Sequence, residues 1–600
     1  MLDVRAPVGG RVSPDGKNMY FAWNVTGTFQ VWKLDGPRRF PVQLTGGEDV
    51  TRLASVTPDG KHLLVSRDKK GEENPGLYVL SADGGPLVEI MHRPKVQVFF
   101  EHVTDDSRYV YFRANALKSD SYALYRYDLV EKKGETFFTD DGLWSIEDHD
   151  EAGKKLLLSK ATGALTSEKY EYDEATKKLT PLFGQNEKEE YQAMYGADPG
   201  EILVRTAKLG EFRRVYRWKR GSGELSPVTP DVKMDVESMG HDRKRLRVYL
   251  SYNDGGYTRA RALDAKTLKE LEIPPFKDMD HVSFGAASAD GRYVTLAASS
   301  AKKPSVTWLY DWNTKALVQW FVPSTPEVDV SRFAAPTLEH YPARDGVKIP
   351  MFVRRPAGCE PGASRPAPCP VVVHFHGGPE GQTRPGFSTT AQIFVDAGFV
   401  YVEPNVRGSD GYGKSWLHAD DGPRRLDVIT DIEDASKYVR TAWAGADKTA
   451  PKVGIMGGSY GGYSTLVGMT MFAGAYDAGV AIVGMSNLVS FLQNTAPYRR
   501  KLRASEYGDL DKDRDALVKL SPVTHIDKLS APLLLIQGAT DPRVPVGEAI
   551  QMHDALEKRG VTTKLIIFPD EGHGSQKREN KVIELGRTVE FFEANLKPKK

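Results

Sequence analysis

The sequence predicts two domains, a seven-bladed β-propeller over residues 1–325 followed by an α/β domain over 326–600. Three observations predict it. A turn recurs every 44 to 48 residues through the first half. That period ends in a proline-bearing stretch, with Pro323, Pro326 and Pro336. Beyond it, apolar runs each feed a loop or turn that carries a chemically active side chain.

In the first half, turns at Asp15-Gly16, Asp59-Gly60, Asp105-Asp106, Glu151-Ala152-Gly153, Asp198-Pro199-Gly200, Asp242-Arg243 and Asp290-Gly291 each precede a strand-like run. A second strand follows in the unit, as at 30–34, 77–80, 123–127 and 308–312. About 45 residues holding several short strands is the length of one propeller blade, so seven turns imply seven blades. A two-sheet sandwich gives no reason for such even spacing. No helix-length amphipathic pattern interrupts this half. The second domain opens with a hairpin, two strand runs joined through Asp345-Gly346.

The most telling segment of the second domain is Gly457-Gly458-Ser459-Tyr460-Gly461-Gly462-Tyr463. It follows the apolar run 453–456 and leads into a helix-like run at 463–471, so Ser459 sits at the apex of a strand–turn–helix. An α/β-hydrolase needs an acid and then a histidine later in the chain, each on a loop after a strand. The run 533–536 leads to Asp541, and 564–568 leads to His573. Ser459, Asp541 and His573 therefore stand in the required order. His573 would take the Ser459 proton and Asp541 would hold the imidazolium. Asp570, three residues before His573, is the competing acid, and Asp541 could instead cap the following helix. The run 370–375 ends in His376-Gly377-Gly378-Pro379, a glycine loop whose backbone can face a developing oxyanion. The donors expected are the N–H groups of Gly378 and Tyr460. His376 reads as a brace for that loop. Phe491, Leu492, Tyr498 and Val544 are the apolar candidates for a substrate pocket, and core packing accounts for Phe491 equally well.

With these motifs in order, the chain resembles the prolyl oligopeptidase family of serine peptidases, in its acylaminoacyl-peptidase-like and dipeptidyl-aminopeptidase-like branch. The matching stretches are His376-Gly377-Gly378-Pro379, residues 405–413, residues 457–463, residues 541–545 and Glu571-Gly572-His573. The resemblance implies cleavage of short peptides by acyl transfer, with the propeller gating access, and no cofactor or metal. The dipeptidyl branch grips a free N-terminus with a pair of glutamates in an aromatic, acidic surround; Glu72-Glu73 and Glu189-Glu190 lack that surround. The first blade begins within a dozen residues of Met1, so the leading segment common in this branch is absent or trimmed.

Charge is balanced, 81 basic against 80 acidic residues for a net of +1, which gives no long-range attraction to nucleic acid or membrane. No apolar run is long enough for a transmembrane helix. The basic run Arg499-Arg500-Lys501 with Arg503 reads as a solvated helix face. The two cysteines, Cys359 and Cys369, flank a Pro/Gly-rich excursion that can bring them into bridging range. A disulfide there predicts a periplasmic or secreted protein, and free thiols a cytoplasmic one. With His374 and His376 the cysteines fit no common zinc spacing. Two other functions use the same residues: an esterase or amidase of small acyl substrates, and a propeller binding scaffold beside a vestigial hydrolase. The sequence leaves homo-oligomerisation open.

Overall fold

A computed structural model describes residues 1–198, 200–360 and 367–598. Pro199 of the predicted fifth turn and most of the excursion between the cysteines lie outside the described residues. The chain divides into two compact units. One is Arg5–Ser300 with Pro304–Ser324; the other is Thr325–Lys600 with Met1–Val4 and Ala301–Lys303.

The first unit is built wholly of antiparallel strands among its described residues, in seven successive groups of four. The first group is Val8–Val12, Met19–Trp23, Gln30–Leu34 and Val42–Gln43, each strand pairing with the next. The repeating turn has a local cause. In four groups a hydroxyl at the turn's start donates to the aspartate two residues on: Ser13 to Asp15 (2.5 Å), Thr57 to Asp59 (2.6 Å), Thr104 to Asp106 (2.5 Å) and Ser288 to Asp290 (2.5 Å). Each aspartate also accepts the N–H two residues further, from Lys17, Lys61, Arg108 and Arg292. Short polar side chains that close onto their own backbone set the turn, and so the period. Single parallel bridges, Tyr122 with Leu143 and Thr258 with His281, tie the third group to the fourth and the sixth to the seventh. The first group meets the seventh: Thr307 Oγ1 donates to Gly9 O (2.9 Å) and Thr295 Oγ1 to Gly10 O (3.2 Å).

The second unit is an α/β domain around one eight-stranded sheet. The predicted hairpin forms its edge as Thr337–Pro342 and Lys348–Arg354. Next come Val400–Pro404, Val371–Phe375, Val453–Gly458, Ala478–Ile482, Leu533–Gly538 and Thr563–Phe568, all parallel to one another. Val371, Val372 and Val373 are buried on both faces, as are Leu533 to Ile536. Unbroken apolar runs of this kind are what a doubly covered parallel sheet requires. Two buried clusters cover the sheet, and helix Arg578–Leu596 supplies Phe591, Phe592 and Leu596 to one of them.

Candidate active site

Ser459 joins the central strand Val453–Gly458 to helix Tyr460–Thr470. The helix starts three residues earlier than its sequence pattern suggested, directly after the serine. Ser459 holds φ 59°, ψ −117°, a backbone conformation costly for a side-chain-bearing residue. Its N–H donates to Ile482 O (2.9 Å) on the neighbouring strand. The turn needs glycines for close approach: a Cβ on Gly462 would lie 2.6 Å from Ile482 O. Gly461 lies tighter still against the carbonyl of Phe375.

Beyond the intervening strand Ala478–Ile482, Asp541 and His573 follow the last two strands of the sheet, Leu533–Gly538 and Thr563–Phe568. His573 Nδ1 bonds Asp541 Oδ2 at 2.7 Å. The other carboxylate oxygen, Oδ1, accepts the N–H groups of Arg543 (2.8 Å) and Val544 (3.1 Å), so the acid is fixed from both sides. With Nδ1 committed to a buried carboxylate, the proton belongs on Nδ1 and Nε2 is left as the basic nitrogen. Asp570 is placed differently. It pairs with Lys577 (2.5 Å) and accepts from Asn580 (3.2 Å), and Lys577 holds its carboxyl below the usual range. The competing acid thus has another partner, and Asp541 holds the imidazole rather than a helix end.

The glycine loop after Val371–Phe375 runs beside the serine. A Cβ on Gly377 would meet Ser459 Cβ at 3.4 Å and Gly458 O at 3.2 Å. Gly378 has φ 144°, and its carbonyl faces Arg503 Nη1 at 3.5 Å. Tyr460 is the first residue of the helix, where a backbone N–H has no helical acceptor. His376 sits between the Gly377 carbonyl (Nδ1···O 2.9 Å) and the Ser409 hydroxyl (Nε2···O 2.8 Å). Burial pushes its pKa down to about 4, so it stays neutral and braces the loop.

Sequence reasoning missed a buried cluster behind Tyr460. The Tyr460 hydroxyl donates to Asp420 Oδ2 (3.1 Å). Arg425, 0% exposed, bonds the same oxygen (3.0 Å) and Glu506 Oε1 (2.6 Å). Its guanidinium lies 5.4 Å from the Tyr460 ring centroid and 4.6 Å from that of Tyr507. Burial and the neighbouring Glu380 push the Glu506 carboxyl well above its ordinary range. Nothing in the local sequence separates Asp420 and Arg425 from solvated loop charges.

The pocket candidates are corrected by their burial. Leu492, 0% exposed, offers no surface to a substrate, and Phe491 and Val544 lie in the same apolar core. Phe491 packs edge-on against Tyr507 at 5.5 Å. Tyr498, on helix Pro497–Tyr507, is also buried. An apolar run after a strand looks alike in a core and in a pocket, so the sequence had no means to separate them. Cys359 and Cys369 form a disulfide with Cα atoms 5.9 Å apart.

Residues 385–599 match the model of the prolyl oligopeptidase family. Dipeptidyl aminopeptidase BIII of Pseudoxanthomonas mexicana is 27% identical over 595 residues, which span 95% of this chain and 84% of that protein. Dipeptidyl peptidase family member 6 of Caenorhabditis elegans is 32% identical over 346 residues, 54% of this chain and 46% of that protein. Among solved structures, one from a study of two prolyl endopeptidases superposes with a TM-score of 0.86 at 18% identity, covering 100% of this chain and 90% of its own.

Proposed function

Since the catalytic domain of this chain is that of a serine peptidase of the prolyl oligopeptidase family, we propose that the enzyme cleaves short peptides by acyl transfer, with Ser459 as nucleophile, His573 as general base and Asp541 as its orienting acid. Ser459 attacks the scissile carbonyl and its proton passes to His573 Nε2. The tetrahedral oxyanion is held by the N–H groups of Gly378 and Tyr460. His573 then returns the proton to the leaving amine, and water releases the acyl group by the same route. The observation that carries this reading is the 2.7 Å bond between His573 Nδ1 and Asp541, on the loops after the two outermost parallel strands of the sheet whose central strand ends in the strained Ser459 turn.

The strand unit is read as a seven-bladed propeller. Its support is seven four-stranded antiparallel groups in sequence, with Thr295 and Thr307 of the last bonded to Gly10 and Gly9 of the first. Radial repetition of this kind leaves only short, protected sheet edges. The bridged cysteines support export to the periplasm or cell exterior.

Release of N-terminal dipeptides is a second reading, favoured by the near full-length similarity to dipeptidyl aminopeptidase BIII. Against it, Glu190 is taken by Arg205 (2.5 Å) and Arg213 (3.2 Å), so it is not free to grip a substrate amine. Digestion of a peptide library, read by mass spectrometry, tests both. Internal cuts in short peptides regardless of N-terminal acetylation support the first reading. Dipeptides released only from free N-termini support the second. No peptide cleavage at all, with turnover of small esters, overturns both.

A further inference from the structure

The strand unit contains a cavity of about 520 Å³ lined by ionisable side chains, among them His102, His149, Glu151, Arg11, Arg243 and Arg245. His102 lies on Val98–Val103, the first strand of the third group, and His149 on Leu143–Asp150, the first strand of the fourth. Glu151 follows that strand directly. One ligand atom from each of the three lies within 4.8 Å of the other two. Neither the cysteines nor any sequence spacing pointed here, because the two histidines stand 47 residues apart on separate groups.

The protonation of His149 is set by its neighbour. Its Nε2 bonds Glu174 Oε2 at 3.1 Å, and Glu174 also accepts the Tyr111 hydroxyl at 2.7 Å. Glu174 is therefore an acceptor, and Nε2 carries the His149 proton. That leaves Nδ1 as a bare lone pair. It is buried with no hydrogen-bond partner, on a side chain only 7% exposed. A buried polar atom without a partner is costly, so such an atom facing a cavity is available to a ligand. A histidine whose outer nitrogen is fixed by a carboxylate while the inner one stays open is the arrangement found at metal centres.

The other two members fit. His102 Nε2 sits 2.9 Å from Glu151 Oε1, and the Asp105 N–H donates to both Glu151 oxygens at 3.0 Å. Ligands at ~2.0 Å from a tetrahedral ion are separated by roughly 3.3 Å, so small inward shifts close the site. Arg243, 3.6 Å from Glu151, opposes a cation. Its charge is offset by Asp105 at 2.8 Å, as that of Arg245 is by Asp148 at 2.9 Å. Two other groupings of acids and histidines are weaker. Arg425 already fills the one at Asp420, Asp421 and Glu506, and the one at His553, Asp554 and Glu557 is largely exposed.

We propose that His102, His149 and Glu151 bind a divalent transition-metal ion, with zinc the best match to two imidazoles and one carboxylate. Three protein ligands leave the fourth position to water from the cavity. Glu174 is a positioning residue: it touches no ion and holds His149 in the ligating tautomer.

The test titrates zinc chloride into the full-length chain, stripped with chelator and desalted, against a competing chromophoric chelator. The expected result is one ion bound per chain. His149→Ala and Glu151→Gln should each weaken binding at least tenfold, and Glu174→Gln about tenfold through the lost tautomer control. Circular dichroism checks that each variant folds, and Glu151→Gln carries the test should His149→Ala not fold. No uptake by the wild-type chain, or unchanged affinity in a folded His149→Ala or Glu151→Gln, overturns the proposal.

Discussion

The catalytic pair of the α/β unit and the charge network of the strand unit hold their ionisable side chains in opposite ways. In the α/β unit, Asp541 and His573 form a sparse pair: one carboxylate fixed by two backbone N–H groups, one imidazole bonded through one nitrogen, and the other nitrogen left to react. In the strand unit, charges are crowded and mutually satisfied. Arg245 grips Asp148, His241 bonds the same carboxylate, Arg243 holds Asp105, and Glu190 binds two arginines. A crowded network fixes structure, because most of its charged groups hold one another. A sparse pair keeps one group short of a partner, and that shortage is what acid–base chemistry needs. By the same standard, His149 Nδ1 is among the few buried atoms of the crowded unit left short of a partner.

The sharpest way to break this comparison is to remove the group that the sparse pair serves. Ser459→Ala should fold normally and lower kcat by roughly a million-fold, as loss of a nucleophile does. Turnover of a peptide anilide, with fluorophosphonate labelling as a second readout, checks it. Retained turnover would place the reactive group elsewhere.

The two candidate acids sharpen it next. Asp541→Asn should cost about 10⁴-fold in kcat, because an amide favours the wrong imidazole tautomer. Asp570→Asn removes a bond to Lys577 on a partly exposed loop and should change kcat by no more than a few-fold. The reverse ranking would show that the catalytic conformation exchanges one acid for the other.

This pair shows how far the sequence was legible. Ser459, Asp541 and His573 each follow an apolar strand in a set order, and that pattern survives without coordinates. The repeating turns were legible for a similar reason, since four of the seven close on themselves through residues two apart. What stayed hidden was everything set by partners distant in the chain. Arg425 meets Glu506 across 81 residues, and His102 meets Glu151 across 49. Leu492 was misplaced for the same reason: burial depends on what packs from outside the segment.

Arg425 gives the third effect. It is enclosed with Asp420, Glu506 and two tyrosine rings, and its loss strands a buried carboxylate. Arg425→Met should destabilise the α/β unit by about 3–5 kcal/mol. Urea unfolding followed by tryptophan fluorescence measures this. Because Tyr460 also loses its bracing, kcat should fall in the protein that remains folded, while labelling of Ser459 persists. A loss of stability with kcat intact would mean that the cluster supports the fold without positioning the Tyr460 N–H.

The disulfide has the smallest expected effect, and it asks whether the site feels a change at the far end of its own strand. Cys369 lies two residues before strand Val371–Phe375, whose other end opens into His376, Gly377 and Gly378. Closing so short a loop contributes about 2–3 kcal/mol at most, mainly by restricting the unfolded chain. The strand between is held independently: Val371, Val372 and Val373 are buried and pair with both neighbouring strands. Reduction should therefore lower the urea midpoint and leave kcat within about twofold, since a constraint on the unfolded chain does not reposition a native loop. Non-reduced protein should weigh two hydrogens less than reduced protein and show no titratable thiol after denaturation. Two free thiols in freshly purified protein would remove the support for an oxidising compartment. A large fall in kcat on reduction would show the strand moving as a rigid lever, carrying a change at Cys369 through to the oxyanion loop.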